Sequence, residues 1–247
     1  MIPYFSFDKI IFGPITVQVW GLMASFGFLL AIYFSLREAK KKNIDENHIW
    51  TLFPILLVAM IVGAKLFYLI GHLNSLARGE NIIFSGSGFS LMGGIVFSVV
   101  VFYYYAKSKK IDIYKLADIF IPGTILAIIA IRMGCFLIYD HVGRITSLPW
   151  GRLYIDGTLR HPIALYHIGS GLVIFLLICY LKERDTKKGI LTLAFVFSYI
   201  ISRILLDFTR CLDLSVCDSR YFGLTYTQLL LLIILPFIFF ITKKYFK

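Results

Sequence analysis

The fold class of this chain is decided by the stretch Ala117-Asp-Ile-Phe-Ile-Pro-Gly-Thr-Ile-Leu-Ala-Ile-Ile-Ala-Ile-Arg-Met-Gly-Cys-Phe-Leu-Ile-Tyr139. An apolar α-helix of about 20 residues crosses the roughly 30 Å hydrocarbon core of a bilayer, so this stretch is long enough to span. It is also continuous, whereas the strands of a membrane barrel would show short alternating segments. The stretch therefore predicts a transmembrane helix.

Six other segments share this character, and 59% of the 247 residues are hydrophobic and 17% aromatic, more than a soluble domain carries. We predict an all-α, polytopic membrane protein with about seven transmembrane helices in one domain over residues 1–247. The predicted spans are 17–36, 49–71, 88–106, 117–139, 161–181, 190–208 and 224–242.

Lysine and arginine are concentrated in every second connection of this arrangement. Connections rich in these residues remain in the cytoplasm, so we expect the N-terminus outside and the C-terminus in the cytoplasm. This distribution explains the net charge of +11 without nucleic-acid binding, which we do not expect. Residues 1–7 lack the features of a removable signal peptide. The basic segments are Arg37/Lys40/Lys41/Lys42, Lys107/Lys109/Lys110/Lys115, Lys182/Arg184/Lys187/Lys188 and Lys243/Lys244/Lys247.

The four cysteines show no metal-ligand spacing, so we predict no metal site. Cys135 and Cys179 fall within predicted spans. Cys211 and Cys217 share the outer connection after the sixth span, where an oxidising compartment permits a disulfide. A disulfide and two free thiols are both open at this point.

Three cationic side chains, Lys65, Arg132 and Arg203, interrupt the apolar runs. A charge in hydrocarbon costs from roughly 2.5 kcal/mol upward unless a partner compensates it. All three, together with Gln228, are predicted at a similar depth, roughly 8–10 Å below the outer helix ends. This shared depth indicates an intramembrane anion site near the phosphates of the outer leaflet.

Helical spacing adds detail to this site. Asp207 lies four residues after Arg203 and three before Arg210, so its carboxylate can hold both guanidiniums on one helix face. Arg132 and Asp140, eight apart, also share a face. Arginine binds phosphate oxygens through two parallel hydrogen bonds, which favours a dianion as ligand. The alternative is that Arg203 and Asp207 only join two helices.

Residues 130–143, Ala-Ile-Arg-Met-Gly-Cys-Phe-Leu-Ile-Tyr-Asp-His-Val-Gly, resemble the signature of the prolipoprotein diacylglyceryl transferase family. That signature is an Arg-x-Gly-Asn-Phe core followed by a Glu and a Gly. Arg132, Gly134, Phe136 and Gly143 match it, and Asp140 takes the place of the Glu. Further matches follow in order along most of the chain: Trp20-Gly21-Leu22-Met23, Gly63-Ala64-Lys65-Leu66 with Tyr68, Asp118 and Pro122, Leu148-Pro149-Trp150-Gly151, His161-Pro162 with Leu165-Tyr166, Arg203 with Asp207 and Arg210, and Gln228.

The resemblance implies transfer of a diacylglyceryl group from phosphatidylglycerol to the lipobox cysteine thiol of a preprolipoprotein, with release of glycerol phosphate. It implies a multi-pass protein of the bacterial cytoplasmic (inner) membrane, in contact with membrane lipids and the preprolipoprotein signal peptide, that needs no cofactor. Because each chain would hold a whole site, we expect a monomer. By resemblance the catalytic residues are Arg132, Arg203 and Asp140, to which we add His141 as a possible base, and the substrate-binding residues are Lys65, Tyr68, Asp207, Arg210, Gln228 and Tyr166.

The chain departs from the family pattern most at Met92, which occupies the place of a histidine. His141, His161 and His167 are candidates for the missing base. A second hypothesis follows: a protein that binds phospholipid headgroups but uses another acceptor or is not an enzyme. A small transporter is disfavoured, because no helix-breaking Gly/Pro pair repeats in two halves. The other departures are Lys65 for Arg, Cys135 and Ile138 for two Asn, Ala164 for Gln and His167 for Glu.

Overall fold

The computed structural model describes residues 1–74, 78, 88–184, 187–215 and 217–245, without the side chains of 237 and 239–245. Lys247 of the predicted basic tail therefore lies outside the described residues. Seven α-helices occur in the described ranges, in chain order: α1 Val19–Lys41, α2 Glu46–Gly71, α3 Leu91–Ser108, α4 Ile113–Leu137, α5 Ile163–Lys182, α6 Ile190–Asp207 and α7 Tyr226–Tyr245.

Helices α1 to α6 are long and apolar enough to cross a membrane. In α7 the apolar stretch within the described residues is Tyr226–Pro236, which is shorter than a span. The predicted all-α architecture is thus confirmed with six membrane-capable helices. The seventh span and the orientation stay predictions.

Three short antiparallel hairpins lie in the connections. β1 Lys9–Phe12 pairs with β2 Ile15–Gln18, β3 Arg152–Leu153 with β4 Leu159–Arg160, and β5 Arg220–Tyr221 with β6 Leu224–Thr225. The first hairpin shifts the start of the first predicted span from 17 to Val19, because Val17 and Gln18 still pair with Ile10 and Lys9. The β-branched run from Ile15 to Val17 favours strand over helix at this point.

Side-chain caps determine where two other helices begin. The carboxylate of Asp45 accepts a hydrogen bond from the Asn47 backbone N–H at 2.9 Å, so α2 begins three residues before the predicted boundary. The Ser90 hydroxyl accepts one from the Gly93 N–H at 3.4 Å at the start of α3. Hydropathy alone misses the start of α2, because its capped first turn is polar, and it places the start of α3 too early, at 88 instead of Leu91.

The chain forms two compact units. One comprises Met1–Phe34 and Phe120–Lys247, and the other comprises Ser35–Ile119. The prediction of one domain over 1–247 stays a prediction. In the second unit α2 and α3 approach closely at glycines: a Cβ on Gly63 would lie 2.6 Å from the Gly93 carbonyl oxygen, and one on Gly93 would lie 2.5 Å from that of Gly63. Small residues permit such close helix packing in membranes.

The larger unit has its core between α4, α5 and α6. The buried side chains of this core are Ile121, Ile125, Ile174, Ile178 and Leu191. Helix α1 packs on α4 where a Cβ on Gly123 would meet the Ala31 carbonyl oxygen at 2.7 Å. This packing fixes the faces of α4, α5 and α6 that carry Arg132, His167 and Arg203.

Candidate anion-binding site

The end of α6 holds the cluster that helical spacing predicts. Asp207 Oδ1 lies 3.5 Å from Arg203 Nη2 and 3.1 Å from Arg210 Nε. The Asp207 side chain is fully buried, and the two arginines are 9% and 6% exposed. Arg210 also pairs with Asp218 in the following connection. A buried carboxylate thus compensates part of the charge of two buried guanidiniums.

His167 on α5 contacts the same cluster across helices. Its Nε2 lies 2.9 Å from Arg203 Nη1. A guanidinium only donates hydrogen bonds, so this nitrogen accepts and the imidazole is neutral. The contact brings the position where the family pattern has a Glu against Arg203. Because Nε2 is already engaged, His167 is the least suited of the three histidines to act as a base.

Arg132 on α4 lines a cavity between α4, α5 and α6. Its other lining residues are Ile125, Ile128, His167, Ser170, Gly171, Ile174, Phe195 and Tyr199. Within the described ranges the half-buried Arg132 guanidinium has no hydrogen-bond or ion-pair partner. His167 lines this cavity together with Arg132 and contacts Arg203, so the two cations lie on either side of one imidazole. The cavity therefore combines apolar walls with an uncompensated cation, an arrangement that can hold the headgroup of an anionic lipid.

A second crevice adjoins the end of α4. Phe136, Tyr139, Asp140, His141, Arg152, His161, Pro162, Ile163 and Ala164 line it. Asp140 Oδ2 lies 3.3 Å from His141 Nε2, so the charge of the carboxylate favours a proton on this nitrogen and leaves Nδ1 as an acceptor. Tyr139 and His141 have φ angles of 56° and 62°, a region that non-glycine residues rarely adopt. The backbone is thus held in an unusual conformation on both sides of Asp140.

Desolvation and nearby charges change the pKa of His141. Desolvation lowers the pKa of the His141 imidazole, as do the positive charges of Arg210, Arg132 and Arg203, whereas Asp140 opposes this effect. A lowered pKa keeps the imidazole neutral at pH 7, which a base requires.

His161 and Tyr166 form a separate hydrogen-bonded chain. Trp150 Nε1 donates to the Tyr166 hydroxyl at 3.1 Å, and this hydroxyl lies 2.9 Å from His161 Nδ1. Because the Tyr166 hydroxyl accepts from Trp150, its own proton is donated to His161 Nδ1. The imidazole then carries its proton on Nε2, which makes His161 a donor instead of a base. Burial, and then the charge of Arg144, lower the pKa of His161. Of the three candidate histidines, His141 is the one whose free nitrogen accepts.

Two buried arginines lie in the connection 138–162 and were not predicted from the sequence as site residues. Arg152, 3% exposed, donates to the carbonyls of Phe136 and Phe5 at 2.6 Å each, and its guanidinium lies 4.0–4.5 Å from the ring centroids of Phe5, Phe136 and Tyr139. It thereby caps the C-terminal end of α4 just before Asp140. The local sequence does not indicate that Arg152 is buried, because an arginine in a polar connection is expected to be exposed to solvent.

Arg160 is the second of these arginines, 1% exposed. It binds both carboxylate oxygens of Asp213, at 3.0 and 2.7 Å, and the Gly143 carbonyl at 3.1 Å. The hydrogen bond from Arg160 holds the pKa of Asp213 well below its ordinary value.

A disulfide joins Cys211 to Cys217, which decides between the disulfide and the two free thiols that the sequence left open.

Gly143, matched to the family signature, lies against the chain after β4. A Cβ at this position would lie 2.1 Å from the His161 carbonyl oxygen, so glycine is required here. The close approach brings the segment after Asp140 against His161, at the edge of the crevice.

Both ends of the Gln228 side-chain amide are hydrogen-bonded within the protein. Its Oε1 accepts from the Thr225 N–H at 2.9 Å, and its Nε2 donates to the Ile204 carbonyl at 2.9 Å. Its predicted contact with a ligand stays a prediction, as do the predicted roles of the other site residues.

Lys65 and Tyr68 belong to the Ser35–Ile119 unit. The Lys65 ammonium lies 5.7 Å from the Tyr68 ring centroid and 4.9 Å from that of Phe89, within range of cation–π attraction. Met92 is half-buried in the first turn of α3. The structure thus brings Lys65 and Tyr68 together in this unit, and their contact with substrate stays a prediction.

Fold and site together define a multi-pass α-helical membrane protein with a guanidinium, unpaired among the described residues, in a largely apolar cavity between three helices. The chain belongs to the prolipoprotein diacylglyceryl transferase family, whose sequence model matches residues 9–242. It is 33% identical over 216 residues to the phosphatidylglycerol–prolipoprotein diacylglyceryl transferase of Finegoldia magna, covering 86% of this chain and 84% of that protein. The enzymes of the same name from Clostridium tetani and Aliarcobacter butzleri are 28% and 27% identical over 208 and 267 residues, covering 81% and 98% of this chain and 83% and 95% of theirs. The family resemblance predicted from the sequence is confirmed.

Proposed function

We propose that this protein transfers a diacylglyceryl group from phosphatidylglycerol to the cysteine thiol of a prolipoprotein. The observation that carries the proposal is the Arg132 guanidinium in the cavity between α4, α5 and α6, which has no partner in the part of the chain that the structure describes. An anionic headgroup supplies the missing counter-charge, while Ile125, Ile128 and Phe195 contact the hydrocarbon beside it. The names of the relatives support the same donor and acceptor classes.

The transfer is a substitution at carbon. The thiol sulfur forms a bond to the glycerol carbon of the diacylglyceryl group, and the bond from that carbon to the phosphate oxygen breaks. Glycerol phosphate leaves with the electron pair, and the thiol proton passes to a base. Arg132 and Arg203 stabilise the negative charge that develops on the leaving phosphate, and Asp207 keeps Arg203 in place.

The base in this proposal is His141. Its Nδ1 is an acceptor because Nε2 faces Asp140, and the lowered pKa keeps it neutral at pH 7. Asp140 orients the ring and stabilises the imidazolium after proton transfer. This pair performs the proton transfer in a chain that has Met92 in place of the family histidine.

The proposal includes a topology. The chain spans the bacterial cytoplasmic membrane seven times, with α7 as the last span, the N-terminus outside and the C-terminus in the cytoplasm. The distribution of basic residues supports it. Asp140 and His141 then face the outer side, where the lipobox cysteine of a translocated signal peptide is accessible. The monomer is the functional unit, since Arg132, Arg203, Asp207 and His141 all come from one chain.

Label transfer tests the function directly. Purified protein in detergent is mixed with phosphatidylglycerol labelled in its acyl chains and with a lipobox peptide, and label on the peptide is measured together with released glycerol phosphate. We expect equal amounts of both products, and neither with a peptide in which alanine replaces the cysteine. Binding of phosphatidylglycerol without transfer to any thiol peptide would contradict the proposal and favour a lipid-binding role.

A further inference from the structure

The start of α7 lies against the buried carboxylate of the arginine cluster. Thr225, 2% exposed, directly precedes α7, and its Oγ1 lies 3.1 Å from Asp207 Oδ2. This contact involves the carboxylate oxygen opposite to the one that serves Arg203 and Arg210. Asp207 is therefore held from both sides.

The hairpin of β5 and β6 brings Thr225 to this position. Its two turn residues, Phe222 and Gly223, have φ angles of 55° and 78°, which is the signature of a tight two-residue turn. This turn fixes the register, in which Arg220 pairs with Thr225. Arg220 Nη2 then donates to the Asp207 backbone carbonyl at 3.1 Å, so both paired residues contact Asp207.

The hydrogen bonds also fix the direction in which the Thr225 hydroxyl points. The Gln228 N–H donates to Thr225 Oγ1 at 3.1 Å, and Gln228 Oε1 accepts from the Thr225 N–H at 2.9 Å. This reciprocal pair is a capping box at the start of α7. Because the hydroxyl oxygen accepts from Gln228, its single proton is directed to Asp207.

Gln228 connects the box to α6. Its Nε2 donates to the carbonyl of Ile204, which directly follows Arg203 and lies three residues before Asp207, at 2.9 Å. Both Gln228 and Asp207 are fully buried. The start of α7 and the end of α6 are thus joined by one continuous hydrogen-bonded network.

We propose that Thr225 is a positioning residue for the transfer: its hydroxyl holds the Asp207 carboxylate, and through it the guanidiniums of Arg203 and Arg210, with Gln228 fixing the hydroxyl. The inference rests on the proposed function for its effect on rate. The geometry that carries it does not depend on the identity of the substrate.

Replacement of the hydroxyl by a methyl group of similar size tests this role. Thr225→Val removes the donor to Asp207, whereas Thr225→Ser keeps it. We expect Thr225→Val to lower kcat about tenfold or more with a smaller change in KM, because a misplaced cation acts mainly on the transition state. Thr225→Ser should stay within about twofold of the wild type. Thr227→Val, two residues on in the same first turn, is the matched control and should leave activity unchanged.

Binding of glycerol phosphate, measured by titration calorimetry on the same variants, gives a second readout that does not need turnover. We expect weaker binding in Thr225→Val and wild-type binding in Thr225→Ser. Equal binding and equal kcat in the two variants would overturn the inference, since the methyl group and not the hydroxyl would then matter. If the wild type transfers no label, the proposed function fails, and the binding comparison alone decides the role of Thr225.

Discussion

At the residue scale, local spacing predicted one part of the site and missed another. The cluster of Arg203, Asp207 and Arg210 follows from helical periodicity alone, because residues three and four apart share a face. Arg203 also contacts His167, which lies on another helix and is 36 residues away in the sequence. No local pattern predicts such a pairing, so the sequence analysis gave His167 as a departure from the family pattern and a candidate base, not as a partner of Arg203.

The role of His141 as base predicts how the reaction rate depends on pH. The pKa of its imidazole lies below the ordinary 6.5, so the neutral base is present at pH 7 and is lost only as the pH falls through this lowered value. We therefore expect wild-type kcat/KM to hold through the ordinary histidine pKa of 6.5 and to fall only at more acid pH. His141→Ala should lower the rate about 100-fold at neutral pH. The loss should shrink toward pH 8.5 or so, where the acceptor thiol ionises by itself.

A pH–rate profile of each protein with the lipobox peptide checks this. His48→Ala is the control, because His48 binds Tyr105 and is not part of the crevice lining. A profile of His141→Ala that runs parallel to that of the wild type would exclude His141 as the base.

At the element scale, the short connections hold the site as much as the helices do. The capping box at Thr225 and Gln228 has a readable signal, a Thr followed three residues later by a Gln before an apolar run. We instead predicted that Gln228 binds substrate, because of its depth in the membrane and its match to the glutamine of the family's last span. The contacts of Arg152 and Arg160 depend on tertiary packing between connections and have no such signal.

The disulfide belongs to this scale too. The segment from Cys211 to Cys217 carries Asp213, which binds Arg160, and is followed by Asp218, which binds Arg210. Closing a loop of this size stabilises by about 2 kcal/mol in the chain-entropy account. We expect dithiothreitol to lower the unfolding midpoint of the wild type in detergent, and the variant with Cys211→Ser and Cys217→Ser to start at the lower midpoint.

The double variant should show no further response to reductant, and Cys179→Ser should respond as the wild type does. Identical unfolding curves for the oxidised and reduced wild type would show that this connection is held by its ion pairs alone.

At the scale of the whole molecule, continuous apolar runs predicted six of the helices as membrane-capable, because span length and hydropathy are properties of each segment by itself. The two compact units could not be predicted, since they depend on which helices pack together. Gly63 illustrates the difference: the sequence analysis gave it as a family match, whereas the structure shows it where the backbone of α2 meets that of α3 at Gly93.

The topology can be tested with epitope tags at two exposed turns, after Lys110 and after Gly157, which have φ angles of 53° and 78°. The proposed orientation places the first turn in the cytoplasm and the second outside. We expect protease added to intact spheroplasts to remove the tag after Gly157 only, and to remove both tags after lysis. Removal of the Lys110 tag from intact cells would reverse the orientation.

The central claim is that Arg132 holds the phosphate of the donor, and the most direct measurement compares Arg132→Ala with Arg184→Ala in the label-transfer assay. Arg184 is an exposed arginine beyond the end of α5, in contact with Tyr180, and serves as the matched control. We expect Arg132→Ala to lose transfer and glycerol phosphate release together by at least about 100-fold, and Arg184→Ala to keep both. Wild-type turnover in a folded Arg132→Ala protein would contradict the account.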